Sequence, residues 1–302
     1  MLPILSSPRC VTPLGLTIED THAAIARGER VIRQGRIEIL NEPGVDRVTQ
    51  LARLVTAGLE LSSFDEILLA TSKGPADHWL TGTYSHPIGL HTTFPATRIF
   101  SSACASGLVA LTYAHQLVVN KLARRVLVVA AESSFHQIFI SCFSRLGVLA
   151  SDGEPCKPFD ESGAGFVLSE ASACVIVESK EPSAGDIELH QTTMLSDALH
   201  LTSHRENGST FRRAIRNVRG GLSIDRVHAH ATGTRADAIE LSAIRAELGE
   251  VEVESHKAFI GHTLGASGLL AAVLSMKACA RGTVILAAGF GGAVAAASIR
   301  RA

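Results

Sequence analysis

The stretch "RIFSSACASG" (residues 98 to 107) places one cysteine among small residues, where an apolar strand gives way to a helix. If the helix that runs to about residue 119 begins at Cys104, the sulfur lies beside unpaired N–H groups and the positive end of the helix dipole. Both favour the thiolate, which is the nucleophilic form of cysteine. Free cysteine is also among the residue types most often buried, so a structural cysteine is the alternative interpretation.

The composition predicts a globular protein with a sizeable core. The chain has 302 residues, of which 46% are hydrophobic and 19% charged, so we expect one large or two intimately packed domains. The net charge is -1 and no basic stripe is present, which argues against nucleic acid as a partner. The N-terminal "MLPILSSPRC" lacks the pattern of a signal peptide, and no apolar run is long enough for a membrane span. We therefore expect a cytoplasmic protein with small-molecule or protein partners.

The cysteines and histidines show no metal-binding spacing. The six cysteines are scattered without a C-x-x-C pair, so neither a disulfide framework nor a zinc ribbon is indicated. The thirteen histidines form no H-E-x-x-H or similar pattern. No metal ligand is therefore predicted.

Short apolar segments alternate with helical patterns along the chain. Strands are predicted at residues 65–72, 124–133, 171–179 and 225–232, and amphipathic helices at 46–61 and 209–219. This alternation is typical of an α/β arrangement with buried strands.

Two passages share one layout of strand, small-residue turn and helix. They are "TRIFSSACASGLVALTYAHQLV" and "DRVHAHATGTRADAIELSAIRAEL". This likeness predicts a duplicated core, with residues 1–160 as an N-terminal half that carries Cys104 and residues 161–302 as a C-terminal half that carries two histidines. No flexible linker separates the halves, so we expect them to pack as one body.

Two histidines of the second half lie in motifs rich in Gly and Thr. His230 opens "HATGT" (230 to 234), and His262 lies within "KAFIGHTLGASG" (257 to 268). A lone histidine is more often a core or surface residue, but both of these are expected at strand-to-helix junctions that face a common cavity. Neutral imidazoles there can donate hydrogen bonds to an oxygen that becomes negative in a transition state. Together with Cys104, the pattern indicates a catalytic site.

With these residues the chain resembles the β-ketoacyl-acyl carrier protein synthases of the thiolase superfamily, in the branch that uses a Cys-His-His set. The motifs occur in matching order: "ACASG" around Cys104, "KPFDESGAGFVLSE" at 157 to 170, "SDALHLT" at 196 to 202, "HATGT" with Asp237 and Glu240, "SHKAFIGHTLGASG", and "GFGG" at 289 to 292. The resemblance implies a thiolase-like duplicated α/β fold, layered α/β/α/β/α. It also implies a dimer.

The resemblance assigns each of these residues a role. Cys104 would attack the thioester of an acyl group on a carrier protein and hold it as an acyl-enzyme. A malonyl-type extender would then lose carbon dioxide, and His230 and His262 would stabilise the resulting enolate. The backbone N–H groups of Cys104 and Phe290 would form the oxyanion hole, with Phe290 also as a gate.

The resemblance implies further residues around this set. Lys257 would tune the electrostatics beside the cavity and could pair with Glu170. The other supporting positions are Thr232, Thr234, Gly289 and Gly291. No bound cofactor or metal is implied, because the reactive groups arrive on the phosphopantetheine of acyl carrier protein.

The chain departs from the family pattern in length and in several motif residues. Residues 72 to 98 are compressed, and only "GTVILAA" stands between Arg281 and "GFGG". Gly163 and Ala164 replace a common Arg-Asp pair, and Ala231 replaces the glycine after the first histidine. The remaining departures are Ala171 after Glu170, and Ala293 and Val294 after "GFGG". Together they indicate an open pocket or one completed by a partner.

These departures leave a second interpretation open, in which the chain is a chain-length-factor-like partner subunit with little catalysis of its own. It would pair with a longer ketosynthase, whereas an active enzyme would be expected as a homodimer or heterodimer. The presence of Cys104, His230, Lys257 and His262 favours the enzyme. A thiolase-like or starter-unit synthase fits less well, because its additional catalytic Cys or Asn has no counterpart in the second half.

Overall fold

A computed structural model describes residues 1–39, 41–76, 93–279 and 281–302. These residues form ten strands and eight helices. The strands are β1 (Leu2–Val11), β2 (Glu66–Ala70), β3 (Arg98–Phe100), β4 (Arg125–Glu132), β5 (Ala171–Lys180), β6 (Ile187–Ser196), β7 (Arg226–His228), β8 (Glu252–Glu254), β9 (Thr283–Gly289) and β10 (Ala293–Arg301). The helices are α1 (Ile18–Ala26), α2 (Arg47–Val55), α3 (Ser106–Val119), α4 (Gln137–Arg145), α5 (Ser209–Arg219), α6 (Asp237–Leu248), α7 (Lys257–Ile260) and α8 (Ser267–Ala278).

The predicted strands and helices are present, but α2 is shorter than predicted, and the strand predicted at 225–232 is reduced to β7 (Arg226–His228). Asp46 caps the first turn of α2 by accepting a hydrogen bond from the Thr49 amide at 2.8 Å. The helix ends at Val55, after which the Thr56 hydroxyl donates to the Ala52 carbonyl at 2.8 Å. Gly58 then takes a positive φ of 76°, a conformation that does not continue a right-handed helix. The apolar periodicity of residues 46–61 therefore extends beyond the helix itself.

The ten strands form one sheet in the order β3-β2-β4-β5-β1-β6-β10-β9-β7-β8. The order is a mirror repeat, because β6 to β10 occupy in the second half the places of β1 to β5 in the first. The halves join through two residue pairs between β1 and β6. The strand order confirms a duplicated core. The second copy in the strand order begins at β6. The division of the chain at residues 160/161 stays a prediction.

Helices lie between and outside the two half-sheets. One core cluster combines α3 and α8 with strands of both halves. The opposite face of the first half-sheet packs against α2, and the opposite face of the second packs against α5 and α6. The predicted α/β/α/β/α layering is therefore confirmed, and it puts α3 and α8 at the centre.

The structure corrects the pairing of the two repeated passages. The mirror order makes β3 the counterpart of β8, so the segment equivalent to β3–Cys104–α3 is β8–His262–α8. The passage that was matched from sequence, β7–His230–α6, lies one strand further in. The shared layout of strand, turn and helix recurs at several places in an α/β fold, so layout alone could not select the equivalent copy.

The two compressed regions have different outcomes. The region from 72 to 98 falls mainly on residues 77–92, which lie outside the described residues. The short stretch after Arg281 forms β9, which pairs with both β10 and β7. Of the described helices, none has the length and apolar character that crossing a membrane requires.

Candidate active site

Cys104 lies in a tight turn between β3 and α3. The helix begins at Ser106, so the cysteine precedes the helix instead of opening it as predicted. Ala103 has a positive φ of 48°, which is strained for a residue with a Cβ. The Ser106 hydroxyl holds the turn, since it accepts from the Ser102 amide at 2.8 Å and donates to the Ala103 carbonyl at 2.6 Å. The strained turn thus fixes the position of the thiol.

His262 lies against the Cys104 sulfur. Its Nε2 atom is 3.2 Å from Sγ of Cys104, and its Nδ1 atom is 3.0 Å from the Ser267 hydroxyl. The backbone of His262 pairs with residues 167–169, and Gly261 permits this because a Cβ there would lie 2.7 Å from the Val167 carbonyl oxygen. The ring is therefore fixed at both nitrogens and through its own backbone.

His230 lies beside His262. Their ring centroids are 5.6 Å apart and their planes are nearly perpendicular. The amide of His230 donates to the Glu240 carboxylate at 2.7 Å, and the Lys257 ammonium donates to the His230 carbonyl oxygen. The structure therefore brings Cys104, His230 and His262 to one place, with Lys257 behind them.

Burial decides the protonation of this site. It lowers the pKa of both His230 and His262 well below the usual value, and the positive charge of Lys257 adds to the effect. Both imidazoles are neutral at neutral pH. Burial also raises the pKa of the Cys104 thiol to about 11, although Lys73 and Lys257 oppose it. The thiolate expected from the helix dipole is therefore not the resting form, because desolvation raises the pKa of the thiol more than the two lysines lower it.

Lys257 and Glu240 are both buried behind the histidines. Burial lowers the pKa of Lys257 and raises the pKa of Glu240, while their opposite charges act against both changes. Glu240 is also stabilised by two backbone donors, the amides of His230 and Ala231 at 2.7 and 2.8 Å. Glu240 thus positions the segment that carries His230.

The pairing considered for Lys257 and Glu170 is wrong. Glu170 forms an ion pair with Arg47 at 2.6 Å and accepts from the Ile37 amide at 2.7 Å. Its carboxylate therefore binds the segment before α2, as a structural residue. Sequence distance conceals this contact, because Arg47 and Glu170 are brought together only by the packing of α2 on the sheet.

Thr232 and Thr234 lie near the histidines as predicted from the motif. Their hydroxyl oxygens are 3.1 Å apart, and the Thr232 amide donates to Asp237 at 2.9 Å. Both residues line the same cavity as Cys104.

The "GFGG" turn contacts the cysteine turn directly. A Cβ at Gly289 would lie 2.7 Å from the Ser102 carbonyl oxygen and 3.3 Å from the Cys104 nitrogen. The amides of Cys104 and Phe290 donate to no backbone carbonyl within the described part of the chain. Gly291 has a φ of 89°, and its amide donates to the Leu201 carbonyl at 2.7 Å. The arrangement suits two amides that await an oxygen from a ligand.

A cavity of about 580 Å³ contains these groups. Cys104, His230, His262, Gly289 and Phe290 line it together with the apolar side chains of Phe143, Phe166 and Leu264. Its exposed end carries Ser162, Thr202, Ser203, Glu206 and Arg235. Among the described residues, no group of three or more potential metal ligands is found.

Sequence reasoning missed three residues that build the site. Ser106 and Ser267 brace the cysteine turn and the His262 ring, and Glu240 holds the amides of His230 and Ala231. The serines had a signal, since each stands in the repeated "ASG" at the start of a helix. Glu240 was noted with its motif but was not assigned a contact.

Comparison with protein families gives two matches. Residues 90–183 match the beta-ketoacyl synthase N-terminal domain, and residues 188–290 match the corresponding C-terminal domain.

Curated relatives share part of the chain. The 3-oxoacyl-[acyl-carrier-protein] synthase 2 of Mycobacterium leprae is 31% identical over 195 residues, which is 59% of this chain and 46% of the relative. The tetracenomycin polyketide synthase ketoacyl synthase alpha subunit of Streptomyces glaucescens is 31% identical over 201 residues, or 60% of this chain and 46% of the relative. The matched region thus spans about half the length of these relatives.

Solved structures share the fold over the whole chain. A ketosynthase from module 6 of the bacillaene synthase of Bacillus subtilis has a TM-score of 0.82 at 16% identity, with 100% of this chain and 72% of that chain covered. A ketosynthase in complex with its chain length factor, from Xenorhabdus doucetiae, has a TM-score of 0.80 at 18% identity, with 100% and 98% covered. At these identities the likeness establishes the thiolase-like fold.

Proposed function

Because the chain belongs to the β-ketoacyl synthase family, we propose that it is an acyltransferase that condenses an acyl group on Cys104 with a malonyl group on acyl carrier protein. The product would be a β-ketoacyl thioester of fatty acid, polyketide or polyene synthesis. One observation carries the proposal. The Cys104 sulfur lies 3.2 Å from Nε2 of His262, and the His230 ring lies beside that histidine.

The first half-reaction transfers the acyl group to Cys104. The sulfur attacks the thioester carbonyl, a C–S bond to Cys104 forms, and the carrier sulfur leaves. The thiol proton passes to Nε2 of His262, which then gives it to the departing thiolate. Because burial keeps the pKa of His262 low, the imidazole holds the proton only briefly. The amides of Cys104 and Phe290 would stabilise the carbonyl oxygen as it becomes negative.

The second half-reaction forms the carbon–carbon bond. The malonyl thioester releases carbon dioxide, and the electron pair of the broken bond forms an enolate. Neutral His230 donates a hydrogen bond to its oxygen. His262 also donates from Nε2 once it has changed to the tautomer in which Nδ1 accepts from the Ser267 hydroxyl. The enolate carbon then attacks the acyl-Cys104 carbonyl and releases the sulfur, which regains a proton from solvent. One proton is consumed for each carbon dioxide released.

We propose acyl carrier protein as the partner, with both substrates held on its phosphopantetheine arm. Such an arm needs a channel to the half-buried Cys104, and the cavity extends from exposed residues to this cysteine. A homodimer, or a heterodimer with a longer ketosynthase, is proposed for the assembly.

A condensation assay with separate readouts tests the proposed enzyme. The protein is incubated with acyl and malonyl carrier thioesters, and both the acyl adduct and the carbon dioxide are measured. We expect His230→Ala to keep the acyl adduct on Cys104 and to lose carbon dioxide release by about 100-fold or more. Equal loss of both steps in His230→Ala, or carbon dioxide release by His230→Ala at the wild-type rate, contradicts the assignment.

The length of the matched region supports a second candidate, the chain-length-factor-like partner subunit. The chain matches about half of its curated relatives, so a longer ketosynthase could complete the cavity. A mixture with such a ketosynthase, followed by native mass spectrometry, tests this. A tight heterodimer whose product spectrum is unchanged by Cys104→Ala supports the partner. Condensation by this chain alone supports the enzyme.

A further inference from the structure

The cavity has a buried end and an exposed rim that differ in chemistry. The buried end holds the Cys104 sulfur and the His262 ring. The rim carries hydroxyl side chains and two charged groups, Glu206 and Arg235. Arg235 is the one lysine or arginine among the described residues that line this cavity. A ligand that reaches Cys104 through this cavity therefore passes Arg235, the one basic side chain that the described residues contribute to its lining.

The backbone at Gly163 fixes the stem of Arg235. A Cβ at Gly163 would lie 2.9 Å from Cγ of Arg235 and 3.1 Å from its backbone nitrogen. Gly163 also has a φ of 58°, which disfavours side chains in any case. Glycine at this position thus makes the room that the arginine stem occupies.

Within the described ranges, the Arg235 guanidinium has no ion-pair or hydrogen-bond partner on the rim. Although Glu206 lies on the same rim, the described residues make no ion pair or side-chain hydrogen bond with Arg235. The Thr232 and Thr234 hydroxyls stand next to it in the chain and line the same cavity. A guanidinium binds a phosphate with two parallel hydrogen bonds. Arg235 suits this role, because its stem is packed, hydroxyl groups lie nearby, and its guanidinium has no partner among the described residues.

We propose that Arg235 binds the phosphodiester of the phosphopantetheine arm while the thioester at the other end of that arm lies at Cys104. The inference rests on the proposed function, because it takes its ligand class from there. The arm carries one fixed negative charge, at the end that stays at the cavity mouth. Arg235 would neutralise that charge beside Glu206. The bound phosphate would then determine how far the thioester extends into the cavity.

Acyl-phosphopantetheine and acyl-pantetheine, which differ only in the phosphate, test the inference without a carrier protein. The rate of Cys104 acylation is measured at low substrate concentration. We expect Arg235→Ala to lower the rate about 10- to 100-fold for the phosphorylated substrate. We expect a change of less than about twofold for acyl-pantetheine, because no phosphate contact is lost. Arg235→Lys should recover part of the rate, since it keeps the positive charge but lacks the planar guanidinium that donates two parallel hydrogen bonds.

Two further variants show whether the phosphate-selective loss of acylation rate depends on the position of Arg235 or only on positive charge at the protein surface. Gly163→Ala should displace the arginine stem and give the same phosphate-selective loss, with its melting temperature measured to separate this from unfolding. Arg213→Ala removes an exposed arginine of α5 that does not line the cavity, and it should leave both rates unchanged. Equal losses for both substrates in Arg235→Ala, or the same selective loss in Arg213→Ala, overturn the inference.

A binding measurement separates this inference from the proposed function. Calorimetry with S-methyl phosphopantetheine and S-methyl pantetheine needs no reaction at Cys104. Phosphate-dependent binding that Arg235→Ala weakens at least about tenfold supports the inference even if no acyl adduct forms. An acyl adduct on Cys104 with no phosphate-dependent effect of Arg235 contradicts the inference and leaves the proposed function standing.

Discussion

The turn before α3 and the turn before α8 are two copies of one structure. Each ends in Ala-Ser-Gly, as Ala105 to Gly107 and Ala266 to Gly268. In each, the serine hydroxyl accepts from the amide four residues earlier, at 2.8 Å in the first copy and 3.2 Å in the second. Each also contains a residue with positive φ, Ala103 at 48° and Leu264 at 41°. The duplication thus extends to individual hydrogen bonds.

The copies differ in the residue that follows the strained position. It is Cys104 in the first turn and Gly265 in the second. A Cβ at Gly265 would lie 2.5 Å from the Ser72 amide nitrogen and 2.6 Å from a Glu132 carboxylate oxygen. The second turn therefore has no room for a side chain where the first carries the nucleophile.

Each turn packs against strand ends of the opposite half. The Cys104 turn contacts Gly289 at the end of β9, and the Gly265 turn contacts residues that follow β2 and end β4. This exchange brings the thiol of one half to the imidazole of the other. In the proposed function, one duplicated turn would supply the nucleophile. The other turn, with His262 two residues before its strained position, would supply the base.

Cys104→Gly gives the largest expected effect, since it makes the first turn like the second. Condensation and acyl transfer should fall below detection, because the nucleophile is gone. The fold should persist with a cost of about 1 kcal/mol, because the second copy shows that this turn accepts glycine. An activity assay and a urea titration check both. Unfolding of this variant, with Cys142→Gly folded as the control, would contradict the likeness of the turns.

Gly265→Ala tests the closed second turn. The added methyl group meets backbone atoms that cannot rotate away, so we expect a loss of about 3 kcal/mol in the free energy of unfolding. Gly58→Ala is the control, because it has a positive φ and nothing within 4 Å, and it should lose about 1 kcal/mol. Urea unfolding measures both, and equal losses would show that close packing at Gly265 is unimportant.

Ser106→Ala and Ser267→Ala compare the two braces. Each should lower the free energy of unfolding by about 1 to 2 kcal/mol, because a buried backbone amide loses its acceptor. Only Ser267→Ala also frees Nδ1 of His262, so it alone should change the pH profile of Cys104 acylation. The profiles of both variants are measured from pH 6 to 9. Identical shifts would remove the distinction between the turns.

The pH dependence of stability gives the smallest expected effect. Burial lowers the pKa of His228 and His256, whose ring nitrogens are 2.9 Å apart, so both are neutral when folded. In the unfolded chain these histidines bind protons near pH 6.5. Their contribution to the free energy of unfolding is therefore fully present above that pH and decreases as the pH falls below it. Glu240 acts in the opposite direction, because burial raises its pKa.

His228→Asn isolates this contribution. The slope of the free energy of unfolding between pH 7.5 and 5.5 should decrease by about 1 kcal/mol per pH unit. Ser275, Glu254, Arg226 and Lys257 face His228 and remain in the variant. His200→Asn, at an exposed position, should keep the wild-type slope. An unchanged slope in His228→Asn would show that this histidine is charged in the fold.

Local patterns predicted much of the fold and identified Cys104, His230 and His262, which the structure brings together. Apolar runs located β2, β4 and β5, and periodicity located α5 with the observed ends. The "ACASG" and "HTLGASG" motifs led to Cys104 and His262, because small residues at a strand-to-helix turn leave a backbone signature in the sequence. These features depend on neighbours in the chain.

Features that depend on distant neighbours were not predictable. Burial raises the pKa of Cys104, the charge of Lys257 lowers it, and the thiol contacts His262; both of these residues lie more than 150 positions away in the chain. The contact of Glu170 with Arg47, and that of Arg235 with Gly163, exist only in the folded chain, because each joins segments that are far apart in sequence. The equivalent copy of the cysteine turn also required the strand order, since layout alone matched the wrong strand.

The central claim is that the Cys104 thiol, held against His262 by the paired turns, is the acyl acceptor. The direct measurement is mass spectrometry of peptides after incubation with an acyl-phosphopantetheine carrier thioester. The account predicts an acyl adduct on the peptide that contains Cys104, formed in wild type and in Cys142→Ala and strongly reduced in His262→Ala. An adduct on exposed Cys142 alone, or none on Cys104 in folded protein, would contradict it.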